Sequence, residues 1–136
     1  MQQTLEQKRA SSAWNEVEKI NRASKDIKDK YKGLVLKLPA LIHTNGLGQT
    51  LAFLKYKGKG DTKDPHEIVY NHLQGWLFNN LKWDDIKDSD LIKRIIFANS
   101  EKYRYATNET LAYLTWLRRF AEAVLPEPKN EVSKNG

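Results

Sequence analysis

Few residues in this 136-residue chain are spaced for catalysis. Its histidines are His43, His66 and His72. A helical zinc pair needs ligands three or four residues apart to share a face, and 66 to 72 does not supply that. Asp84, Asp85, Asp88 and Asp90 cluster as a magnesium site would, but turn and helix-cap chemistry ahead of Leu91 explains them more simply. Gly58-Lys59-Gly60 superficially echoes a phosphate loop. It lacks the first glycine, the Ser or Thr after the lysine, and a preceding strand. Gly46-Leu47-Gly48 lacks the third glycine of a dinucleotide fingerprint. With no cysteine, thiol catalysis, disulfides and Cys-ligated metals are excluded. The residues therefore predict no enzyme, no cofactor and no metal.

Two segments carry more. Ala40 to Lys55 (ALIHTNGLGQTLAFLK) joins two apolar stretches through Asn45-Gly46-Leu47-Gly48 and sets Gln49 and Thr50 at a helix start. Unpaired backbone amides at such a start suit phosphate; a tight helix–helix corner is the plainer reading. Tyr103 to Ala123 (YRYATNETLAYLTWLRRFAEA) alternates aromatics with arginines. That pattern suits base stacking beside phosphate contacts. It also suits a core seam, because Tyr113, Trp116, Leu117, Phe120 and Val124 follow three-and-four spacing. Arg118 and Arg119 then project from its flank.

The elements that must hold these segments are helices. Apolar or small residues recur at Ala10, Ala13, Val17, Ile20, Ser24, Ile27 and Tyr31, which predicts one amphipathic helix ended by Gly33. Leu34 to His43 is a second helical segment that Pro39 should kink or restart. Asn45-Gly46 should stop it. A helix over Gly48–Tyr56, a flexible loop over 57–64, and a helix capped by Asp64-Pro65 follow. Asp88 or Ser89 should cap another helix through Leu91 to Ile96, and the last should run from Ser100 to Leu125, where Pro126 ends it. The second half of that last helix should form the centre of the core. No alternating Val/Ile/Thr run of five residues appears. The expectation is a single all-α domain over residues 1–125, a compact bundle of five to seven helices, with a flexible tail over 126–136.

Composition fits this. At 40% hydrophobic residues with four Trp and six Tyr, the chain has the material for a core. The N-terminus lacks an apolar signal stretch. The longest apolar-rich run, Leu34–Ile42, falls well short of the ~20 residues of a membrane span. A soluble, cytoplasmic protein with no membrane contact is expected. The formal charge is +6, and its division is more telling. Residues 31–60 hold five bases and no acids, and 91–120 hold six bases and two acids. Residues 61–90 between them hold three bases and seven acids. A basic surface facing a polyanion is one reading; the acidic block meeting a neighbouring subunit is another.

QKRASSAW near the start, NGLGQTLAFLK in the middle and YRYATNETLAYLTWLRRFAEAVL near the end resemble the small helical subunit of the type III-B (Cmr) CRISPR effector complex. The resemblance spans roughly residues 2–125 and is weakest over 57–90. It implies an all-α antiviral defence protein without activity of its own. Copies would stack in a short filament along the backbone subunits that hold the CRISPR RNA, in a complex with a large polymerase-like subunit. The filament would help form a basic RNA-binding channel for the guide–target duplex, where base pairing carries specificity. Matched by position, Arg9, Lys55, Arg104, Arg118 and Arg119 are the implied RNA contacts. Lys57 and Lys59, in the expected loop, are further candidates. Lys19, Arg22 and Lys25 read as a solvated face. Arg9 has a structural pairing with an acid as its alternative, and Asn45 and Gln49 are expected to organise the corner, with contact to RNA as their alternative. Apart from the resemblance, a helical protein-interaction adaptor without nucleic acid, and a metal-dependent nuclease built on Asp84–Asp90, are the competing functions.

Overall fold

A computed structural model describes residues 2–80 and 90–126. Among them are six helices and no strand: α1 (Leu5–Asn21), α2 (Lys25–Asn45), α3 (Leu47–Gly58), α4 (Pro65–Asn80), α5 (Leu91–Ile96) and α6 (Ser100–Val124).

The helix starts follow cap chemistry. Thr4 and Gln7 form a reciprocal capping box on α1. The single helix expected up to Tyr31 is in fact two. Ser24 accepts from the Ile27 amide and starts α2 afresh, so the break falls at Arg22–Ser24 and not at Gly33. The buried seam survives the break, with Ala13, Val17 and Ile20 on α1 and Tyr31 on α2. Pro39 does not stop α2 either. It forgoes one backbone bond and the helix continues to Asn45.

Gly33 and Gly58 are both helical but differ in their surroundings. A Cβ at Gly33 meets nothing within 4 Å. One at Gly58 would lie 2.6 Å from Glu67 Oε1 and 2.8 Å from the Glu67 backbone nitrogen. Gly33→Ala is therefore expected to stabilise the fold by about 0.5–1 kcal/mol through helix propensity. Gly58→Ala should destabilise it by about 1–3 kcal/mol, because a backbone atom must move. Urea midpoints shifting in opposite directions at constant slope would show both.

The stretch expected as a loop over 57–64 is shorter. Lys57 lies in the last turn of α3, and Lys59 caps that helix in the left-handed region at φ 52°. Asp64 Oδ1 accepts from the His66 amide at the start of α4, as its position predicts. Asp90 precedes α5 without a side-chain cap bond. The Leu91 and Ile92 amides instead donate to Gln74 Oε1 and the Tyr70 hydroxyl, both on α4. The expected caps Asp88 and Ser89 lie outside the described residues, as do Asp84 and Asp85. Asn99 caps α6 through the Lys102 amide.

The core gathers Val17, Val35, Leu38, Leu51, Leu54, Leu73, Leu77, Leu114 and Leu117 with three wholly buried tyrosines, Tyr31, Tyr70 and Tyr113. On α6 the buried seam is Ala106, Thr110, Tyr113, Leu114, Leu117 and Ala121. Trp116, Phe120 and Val124, expected in the seam, are only half-buried and pack against it. Small residues at 106, 110 and 121 let neighbouring helices approach that side.

Candidate nucleic-acid interface

The seven candidate cations fall into two groups. Arg9 is committed to the fold. Its Nε and Nη2 donate to Glu109 Oε2 and Oε1 at 2.7 and 2.8 Å. Glu109 is 5% exposed and also accepts from Trp76 Nε1 at 2.8 Å. Burial pushes the Glu109 carboxyl up, but the bonds from Arg9 and Trp76 outweigh it and hold the carboxyl below its ordinary range. The bond to Glu109 raises Arg9 in turn. The structural pairing named as the alternative for Arg9 is thus present, and α1, α4 and α6 meet at this carboxylate. Lys55 is likewise engaged. Its Nζ is 3.3 Å from Glu67 Oε2 and stands 4.7 Å over the Tyr70 ring.

Lys57, Lys59, Arg104, Arg118 and Arg119 are exposed. Arg118 has a partner, Glu122, at 3.7 Å, with both side chains about half exposed. Such a pair contributes little in water. Arg104, Asn108, Leu111, Thr115, Arg118 and Glu122 recur at alternating four- and three-residue steps, with Arg119 beside them, so they share one side of α6, exposed except at the half-buried Leu111 and carrying one acid beside its cations. From Arg104 to Arg118 the row runs ~21 Å at the helical rise. Arg104 borders an open cleft of about 570 Å³ with Ala98, Ser100, Tyr103 and Thr107. Arg118 and Arg119 border one of about 340 Å³ with Pro39, Thr115 and Glu122. Cations at both ends of a polar helix face can follow a phosphate backbone without reading bases.

The corner before α3 is built differently from expectation. Gly46, at φ 90°, ends α2 and begins α3 in one residue. Its carbonyl accepts from both the Thr50 amide and hydroxyl. The Gly48 amide donates to the Tyr103 hydroxyl at 2.8 Å. That takes one of the amides which a phosphate at this helix start would need. Asn45 and Gln49 make none of these bonds and remain exposed. Sequence reasoning misses Tyr103 as an organiser because it lies 55 residues from Gly48 in the chain. It misses Glu109 because nothing local marks that residue as the partner of Arg9. Among the described residues no three His, Asp or Glu side chains are grouped to hold a metal ion, and no helix is long and apolar enough to cross a membrane.

Residues 5–124 match the family described as "CRISPR-associated protein (Cas_Cmr5)". The chain is 32% identical over 111 residues to "CRISPR system Cmr subunit Cmr5" of Thermus thermophilus, covering 81% of this chain and 89% of that protein. It is 32% identical over 133 residues to the protein of the same name in Thermotoga maritima, covering 96% and 92%. The crystal structure of a CRISPR-associated Cmr5 family protein from Thermus thermophilus superposes with a TM-score of 0.72 at 28% identity, over 91% of this chain and 100% of that one. A match over almost the whole helical body, in sequence and in fold, means that the chain belongs to the Cmr5 family of CRISPR-associated proteins.

Proposed function

We propose that this chain is a non-catalytic subunit of a type III-B (Cmr) CRISPR effector complex, and that its α6 arginines help line a channel for the guide RNA–target RNA duplex. The observation that carries the channel assignment is the row of Arg104, Arg118 and Arg119 on the solvent side of α6, while Arg9 and Lys55 are held by buried acids. Lys57 and Lys59, exposed at the end of α3, supply further phosphate contacts in this reading. Arg9 and Lys55 act as structural cations within it.

Partners are the other Cmr subunits and further copies of the chain stacked along the backbone. Large exposed apolar side chains fit such contacts: Phe97 is 77% and Tyr56 72% exposed. They equally suit an adaptor that binds protein alone.

Omitting this chain from a reconstituted complex separates the two. Each phosphate contact it supplies adds roughly 0.7–0.9 to the slope of log affinity against log salt. Target-RNA binding by the complex without it is expected to be weaker and less salt-dependent. An unchanged slope with altered assembly would leave the adaptor reading in its place.

A further inference from the structure

Asn45 and Gln49 have no structural task at the corner they flank, because Gly46, Thr50 and Tyr103 make its hydrogen bonds. Both instead line a groove between α2 and α3, about 420 Å³ in volume, with Lys37, Leu41, Thr50 and Phe53. That volume is in the range of small-ligand sites, roughly 300–1,000 Å³.

The groove has the chemistry of a nucleotide. Lys37, Leu41 and Asn45 recur every four residues along α2, and Gln49 and Phe53 do so along α3. Apolar surface is supplied by Leu41 and the half-buried Phe53 ring. That ring packs against His66 in a T-shaped pair with centroids 5.7 Å apart, and His66 is bonded to Asp64 at 2.8 Å. The two side-chain amides offer donors and acceptors together, the combination that a base edge presents in return. Neither amide has a hydrogen-bond partner among the described residues. The Lys37 ammonium, two turns before Asn45 along α2, stands over the Phe53 ring at 5.9 Å from its centroid and must share that face with a base. No acid lines the groove, and both of its walls come from residues 31–60, which hold no Asp or Glu.

We propose that the α2–α3 groove binds one ribonucleotide of single-stranded RNA. The base lies against Phe53 and Leu41, its edge meets the Asn45 and Gln49 amides, and its phosphate meets Lys37. Aromatic stacking with edge hydrogen bonds is how unpaired RNA bases are held generally. A peptide fits less well, since nothing in the groove continues a backbone ladder and the only charge is one cation. The site is separate from the α6 arginines and stands whether or not they line a channel.

The test is titration of the isotope-labelled full chain with each of the four nucleoside 5′-monophosphates, followed by the backbone amide signals of α2 and α3 in every variant and, in the parent chain, also by the side-chain amide signals of Asn45 and Gln49. A saturable shift with Kd on the order of 1 mM is expected for at least one nucleotide. Asn45→Ala with Gln49→Ala should weaken it at least tenfold, and Lys37→Gln should bring the monophosphate down to the level of the uncharged nucleoside. These side chains are exposed, so the variants should fold, and unchanged backbone spectra would show it. Arg118→Glu with Arg119→Glu should leave the titration unchanged, which separates failure of this site from failure of the channel. Absence of a saturable shift, the same shift from inorganic phosphate alone, or equal binding by the Asn45/Gln49 variant would each overturn the proposal.

Discussion

Reversing Arg118 and Arg119 to glutamate will weaken target-RNA capture by the reconstituted complex, on the order of ten- to a hundredfold near physiological salt. In the proposed channel this removes two phosphate contacts and places two like charges against the backbone in their stead. The slope of log affinity against log salt should fall by roughly 1.5, the sum for two cations. The fold has little stake in either residue. Both are exposed, and the one ion pair in play, Arg118 with Glu122 at 3.7 Å, lies in water. Its loss and the new repulsion within one helical turn cost only about 0.5 kcal/mol. Assembly should therefore survive while capture fails. Arg118→Gln with Arg119→Gln should give an intermediate loss, since contacts go without repulsion arriving. Equal capture by an intact charge-reversed complex would remove α6 from the channel.

The helical class is plain in the chain because three-and-four spacing needs only local information. The stop at Gly46 is plain for the same reason: a positive φ favours glycine there. Where the structure departs from the spacing, two local signals compete. Ser24 fits the apolar seam as a small residue and is also a good cap; its side-chain bond to the Ile27 amide decides for the cap. Gly33 looks like a breaker, yet it has no neighbours on the solvent side of α2, which carries it at a modest cost. On α6 too many faces are apolar for the spacing to choose one. The small residues Ala106, Thr110 and Ala121 mark the buried side only once neighbouring helices are in place.

The site is less legible because pairing is long-range. Sequence counts charges, and Arg9, Lys55 and Arg118 look alike in a count. What separates them is where their acids lie. Glu109 is 100 residues from Arg9, and Glu67 is 12 from Lys55 on the next helix. Glu122, one turn from Arg118, is visible in the sequence but stays in solvent. A basic block is thus an upper bound on the cations available to a polyanion. Burial of the partner acid decides which of them remain available.

Glu109 is where that distinction has its largest consequence for stability. Its two oxygens receive both Arg9 bonds and the Trp76 indole N–H, and Trp76 in turn stacks on Tyr113 at 4.9 Å. Glu109→Ala is expected to destabilise the protein by roughly 3–5 kcal/mol, because a guanidinium and a buried indole N–H lose their acceptor at once. Glu109→Gln keeps the indole bond and part of the Arg9 contact, so its loss should be smaller. Replacing the pair together, Arg9→Met with Glu109→Leu, should recover the part of the loss that comes from the unpaired charge, while the Trp76 indole N–H still lacks its acceptor. The pH dependence has a definite sign. The folded carboxyl titrates below its ordinary value of 4.5, so its contribution is full above that value and is lost as pH falls through the folded pKa. Acid unfolding followed by Trp fluorescence should lose this contribution in the double variant. Arg9→Met alone leaves the carboxylate buried without its cation and should lower stability in the free protein, before any RNA is present. A cation that served RNA alone would give the reverse, with capture impaired and stability unchanged.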